Sequence, residues 1–169
     1  MIITRTPYRI PLAGGGTDLD FYYKKRGGLF ISATFNQFVF AIILRRQIDD
    51  KVLIQTTDTQ FARSTNQVKH GIIREILKFF KIKNKIQVGT FTTLPTSSGL
   101  GSSSSLIVGI IFGLSKMLRI KLSKKKIAKI AIFIERKKLK LQGGWQDQII
   151  SSYGGINKIK ISKKGQFTV

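Results

Sequence analysis

A chain of 169 residues, 42% hydrophobic and carrying 12 phenylalanines, has the length of about one domain and the composition of a folded one. It sets 30 Lys and Arg against 8 Asp and Glu, a formal charge of +22, and contains no cysteine, which excludes disulfides, thiolate nucleophiles and cysteine metal sites. The start lacks the layout of a signal peptide, and the apolar run 106–114 is shorter than the ~20 residues a membrane crossing needs, so a cytoplasmic protein without membrane contact is expected. In chain order, residues 2–13 read as a strand, with Pro7 and Pro11 marking an edge or a bulge. Three glycines, 14–16, break it, and Asp18 can cap a short helix over 19–25. Strands follow at 29–35, 38–46 and 52–57, with turns at Asn36-Gln37 and Asp49-Asp50, and antiparallel hairpins are the natural pairing. Apolar residues at helical spacing predict a helix over 67–81, and 86–94 reads as a strand. A broad apolar stripe predicts a helix over 106–118, and Ser123 can cap another whose core face is Ile127, Ile130, Ala131 and Ile134. Two short strand-like runs close the chain after Gly154-Gly155. The layout is α+β, a mixed and mostly antiparallel sheet with helices over one face.

The stretch 94–105, LPTSSGLGSSSS, carries the most chemistry. Gly99 and Gly101 allow a tight turn and close approach of a ligand, and the bare amides of the following helix suit a phosphate. The hydroxyls of Ser102, Ser103 and Ser104 can add donors or a magnesium ligand. No Gly-Lys-Ser/Thr follows, so this is not a Walker loop, and a flexible Gly/Ser linker is the plainer reading. With eight carboxylates, each placement counts. Asp18, behind three glycines, suits a polyol hydroxyl or a helix cap. Asp147, in GGWQDQ, suits a proton acceptor or an ordinary turn. Glu135 can reach magnesium or pair with neighbouring lysines, and Arg9 needs an anionic partner in an otherwise apolar strand. His70 is assigned no role. The lysines cluster away from the aromatics of 22–40, so nucleic acid is not the expected partner, although a basic nucleic-acid-binding module is the alternative from another class.

Three segments, TPYRIPLAGGGTDL, LPTSSGLGSSSS and ERKKLKLQGGWQDQIISSYGG, together resemble the galactokinase–homoserine kinase–mevalonate kinase–phosphomevalonate kinase (GHMP) superfamily. AGGGTDL with GGWQDQ is most similar to its sugar-1-kinases, D-glycero-D-manno-heptose 7-phosphate kinases above all, and the alternative is a fucose- or galactose-type sugar-1-kinase. The resemblance implies that residues 1–169 form the N-terminal, ATP-binding and catalytic domain, with a left-handed βαβ crossover and the C-terminal domain absent. It implies ATP and Mg2+ as cofactors and phosphorylation of an anomeric hydroxyl on a small sugar phosphate. Pro95, Ser97, Ser98, Gly99, Gly101, Ser102, Ser103 and Ser104 would wrap the ATP phosphates, and Ser103 and Glu135 would hold the metal. Asp147 would take the hydroxyl proton and Arg9 would sit by the transferred phosphoryl group. Gly16, Thr17, Asp18 and Gln146 would hold the sugar. A missing C-terminal domain further implies either a partner or self-association through apolar surface left open.

Overall fold

The computed structural model describes residues 1–94 and 99–169. A seven-stranded mixed sheet carries its helices on one side, giving the α+β architecture with one helix-covered face. Strand β2 (Gly28–Arg45) is its axis. Along one edge, β2 pairs antiparallel with β1 (Ile2–Ala13). Along the other, its first half pairs with β6 (Ile156–Ile161) and its second half with β5 (Ile86–Thr92), both antiparallel. The sheet continues from β5 to β3 (Val52–Gln55) and β4 (Thr59–Ala62), and from β6 to β7 (Phe167–Thr168).

The turn expected at Asn36-Gln37 is not there; β2 runs through it. Two different partners hold its two halves, and a register shift between Pro7 and Arg9 on β1 absorbs the irregularity. Nor does a hairpin join β2 to β3, since β5 lies between them. β3 and β5 run parallel, joined through β4 and helix α2 (Gly71–Phe79), so this unit is a βαβ crossover rather than a meander.

Helix α3 (Ser102–Met117) lies across the sheet at the centre of the helical layer. It is buried nearly all round, which is why its sequence is apolar on every side rather than striped. Two glycines one turn apart allow its close approach to β1 and β2. A Cβ on Gly109 would lie 2.6 Å from Thr6 Oγ1, and one on Gly113 would lie 2.6 Å from Ile43 Cδ1. Around α3, the main core joins Ile43, Val88, Ile107 and Ile110 to Ile73 of α2 and Ile130 of α4 (Lys124–Ile132). A second core under α5 (Gln146–Tyr153) joins Ile149 and Ile150 to Phe30, Ile159 and Phe167. The short helix α1 (Asp20–Arg26) contributes Tyr23 to that second core. Among the described residues, no helix is long and apolar enough to cross a membrane.

Candidate active site

Gly101 caps α3 in the left-handed region, at φ 79° and ψ 26°, so the chain turns sharply into a helix whose first amides receive no side-chain cap from it. Two segments meet at this point. Arg9 Nε donates to Asp147 Oδ1 at 2.6 Å, joining β1 to α5, and the Arg9 amide donates to the Leu100 carbonyl. A Cβ on Gly101 would stand 3.0 Å from Asp147 Oδ2 and 3.3 Å from Arg9 Cγ, so the glycine presses directly on the pair. The pair is only partly screened from solvent, with side-chain exposures of 14% for Arg9 and 23% for Asp147, so it can still be reached by a ligand.

Ser104 and Ser105 turn inward. Ser105 Oγ donates to the Pro7 carbonyl and accepts from Ser151 Oγ at 3.0 Å, tying the mouth of α3 to β1 and α5. Ser104 Oγ donates to Glu135 Oε2 at 2.7 Å. Glu135 itself is buried in a single wide π turn, Phe133–Lys138, that continues α4. This turn sends Glu135 inward and Arg136 the other way. The Arg136 guanidinium donates to the carbonyls of Leu141, Gln142 and Gly144, strapping down the loop that leads into α5. Ser103 does not bond to Glu135; with Ser102 it lines a cleft of about 540 Å³ whose other walls include Thr56, His70, Thr90 and Phe91. A larger hollow of about 690 Å³ lies by Arg26, Leu29 and Lys160, and only Thr17 among the candidate residues reaches it. Of the two, the cleft at the mouth of α3 is the one lined by Ser102 and Ser103.

Asp18 has a different role from the capping of α1. The residue before α1 is Leu19, with no side-chain cap. Asp18 is buried instead against the start of α5, where its Oδ2 accepts from the amides of Trp145 at 2.7 Å and Gln146 at 2.9 Å. It caps a helix that begins over a hundred residues away, and Gly144 is bare because a Cβ there would collide with this carboxylate. Thr17 is similarly occupied: its hydroxyl donates to the carbonyls of Gly14 and Leu29 and accepts from the Leu29 amide. Gly16 lies in the same turn at φ 84°. Gln146 keeps a buried Nε2 with no hydrogen-bond partner among the described residues. Pro95, Ser97 and Ser98 lie outside the described residues, whereas Gly99 is placed just before Leu100, at φ 72°.

Two contributors escape a sequence reading. Arg136 was one cation among many beside Glu135, and nothing in its spacing marked it as a loop strap. His70 caps α2 by accepting the Ile73 amide on Nδ1 at 3.4 Å, and it also lines the cleft. Burial lowers its pKa below the ordinary histidine value. Among the described residues no cluster of three or more His, Cys, Asp or Glu exists, and Glu135 is the buried glutamate beside the mouth of α3. Magnesium needs no such cage, since it is bound through one or two carboxylates plus phosphate oxygens. Both hydrogen bonds to Glu135 fall on Oε2, so Oε1 has no hydrogen bond among the described residues. The residues present thus fit such an ion.

The class is set by this α+β layer together with a glycine-capped helix mouth, an Arg–Asp pair and a buried glutamate beside it. Residues 66–155 match the model described as the GHMP kinases N terminal domain, and the chain belongs to that family. It is 34% identical over 168 residues to the D-glycero-alpha-D-manno-heptose 7-phosphate kinase of Campylobacter jejuni, covering 92% of this chain and 49% of that protein. A solved D-glycero-D-manno-heptose 1-phosphate kinase from Bacteroides thetaiotaomicron superposes with a TM-score of 0.93 at 26% identity, covering 100% of this chain and 59% of the other. A solved putative sugar kinase from Campylobacter jejuni gives a TM-score of 0.82 at 32% identity, covering 98% and 54%. The chain spans about half the length of the curated relative it matches first.

Proposed function

We propose that this domain supplies the ATP-binding and proton-accepting half of a sugar kinase that phosphorylates an anomeric hydroxyl, with D-glycero-D-manno-heptose 7-phosphate as acceptor and the 1,7-bisphosphate as product. The observation that carries the reading is the contact of Gly101 with the Arg9–Asp147 pair, which sets a base beside a phosphate-binding helix mouth. Phosphoryl transfer depends mainly on positioning and on neutralising charge, and this geometry supplies both.

The amides at the start of α3 and the hydroxyls of Ser102 and Ser103 would hold the phosphates of ATP, with the nucleoside in the adjoining cleft. Glu135 and Ser103 would hold Mg2+, which when bound neutralises charge on the phosphate oxygens. Asp147 Oδ2, left over from the pair with Arg9, accepts the proton of the acceptor hydroxyl as its oxygen bonds to phosphorus and ADP leaves. Arg9 holds the base in place and adds positive charge beside the phosphoryl group. The unpartnered Nε2 of Gln146 fits a sugar hydroxyl, and Asp18 fixes the start of α5 on which Gln146 and Asp147 both stand.

The test couples ADP release to a panel of heptose 7-phosphates, free heptoses, fucose and galactose. The heptose 7-phosphate is expected to be preferred, and Asp147→Asn is expected to lower turnover by roughly 10²–10⁴-fold. Preference for fucose or galactose would replace the substrate assignment; undiminished turnover in the Asn variant would remove Asp147 from the chemistry.

A further inference from the structure

Gln148 stands one residue after the proposed base, and nothing above uses it. It is completely buried on α5. Its Nε2 donates to Ser104 Oγ at 3.1 Å and, closely, to Glu135 Oε2. The Ser104 hydroxyl in turn donates to that same oxygen, so Ser104, Gln148 and one oxygen of Glu135 close a triangle. The other end of the side chain, Oε1, is buried with no partner among the described residues. A buried acceptor left unmet costs roughly 1–3 kcal/mol. An apolar side chain of the same volume would fill this space without that cost, so packing alone does not account for a glutamine here.

We infer that Gln148 is a positioning residue: its amide, with the Ser104 hydroxyl, pins Oε2 of Glu135 so that Oε1 is the oxygen presented to a divalent cation. Without these two donors the glutamate is free to rotate and to offer either oxygen, and the ordering is then lost on each binding event. Because Asp147 and Gln148 are consecutive, α5 holds the base through one residue and the cation ligand through the next. The relation between the two follows from a single helical turn whose start Asp18 fixes. Removing an outer partner of a metal ligand typically costs about 10–100-fold in metal affinity.

This inference rests on the reading of Glu135 as a cation ligand, and the experiment separates the two. The affinity of the 169-residue chain for ATP is measured by calorimetry in saturating magnesium and again in EDTA, and the ratio reports the cation's contribution. Gln148→Met, of matched length, is expected to lower that ratio about 10-fold while the affinity in EDTA stays within about twofold. A merely structural role would weaken both affinities together, and that result, or an unchanged ratio in the Met variant, overturns the inference. Ser104→Ala removes the other donor to the same oxygen and is expected to lower the ratio too, so the inference remains open to refutation even where Gln148→Met loses its fold. Glu135→Gln tests the reading beneath. If it keeps the full ratio, or if the natural chain shows no magnesium dependence, reading and inference fall together. If it abolishes the ratio while Gln148→Met and Ser104→Ala keep it, only the positioning role falls.

Discussion

Gly101 and Asp18 are the two residues on which the geometry of the site turns. At φ 79°, with a would-be Cβ 3.0 Å from Asp147 Oδ2, Gly101 takes a side chain only with backbone strain and a shift of the Arg9–Asp147 pair by a few tenths of an ångström. Gly101→Ala is expected to cost about 1–2 kcal/mol in backbone strain alone. Its larger effect should be on ligand: ATP affinity in magnesium falls at least 10-fold by about the energy of one displaced charged contact. Calorimetry on the Ala variant showing natural affinity would mean that the pair does not border the phosphate site. Asp18 lies among the buried charges that two amides satisfy. Asp18→Ala leaves both amides unmet at the start of α5 and is expected to cost about 3 kcal/mol. In a domain of this size that is roughly 6–12 °C in Tm. A melting curve shifted by a degree or less would show that water replaces the carboxylate freely.

Helix α2 carries a pH dependence of its own. His70 must stay neutral to accept the Ile73 amide, and burial holds its pKa below the ordinary histidine value of 6.5. The unfolded chain takes up the proton at the ordinary value, so between the two pKa values it binds more protons than the folded one. The cap's contribution is thus complete above about pH 6.5 and is lost as the pH falls through that value toward the folded pKa. Urea midpoints should drop from pH 7.5 to 5.5, and His70→Asn, which can cap without titrating, should remove much of the drop. An identical drop in the Asn variant would place its origin elsewhere. The π turn after α4 shows the same economy of position: it aims Glu135 at Ser104 and Arg136 at the loop carbonyls in consecutive residues.

At the scale of the whole molecule, the sheet face away from the helices is open. Ile3 and Leu29 are 59% and 46% exposed, Ile10 and Ile31 share that face, and Arg5 lies over the Phe38 ring at 4.4 Å. Such a surface binds apolar dyes, while a charge of +22 keeps copies apart at low ionic strength. Salt screens that repulsion. Light scattering is therefore expected to show association rising with salt, and Ile3→Ser with Ile31→Ser should lower both association and dye fluorescence. A double variant as sticky as the natural chain would move the cause off this face.

What the sequence determined by itself was what local chemistry can carry: the α+β order of elements, the glycine–serine turn ahead of an apolar helix, and the acidic residues worth watching. Those are properties of neighbours along the chain, where turn geometry, period and helix ends are written in a few adjacent residues. The glycines at 109 and 113, by contrast, have their reason in β1 and β2, which lie against them. Only the tertiary structure decided that β2 is one strand, since its continuity comes from β5 and β6, far along the chain. It alone moved Asp18 from the helix beside it to α5, set Ser104 rather than Ser103 on Glu135, and gave Gln148 a partner. Each of those contacts joins residues 13 to 127 positions apart, and burial in a shared core, not local spacing, selects them.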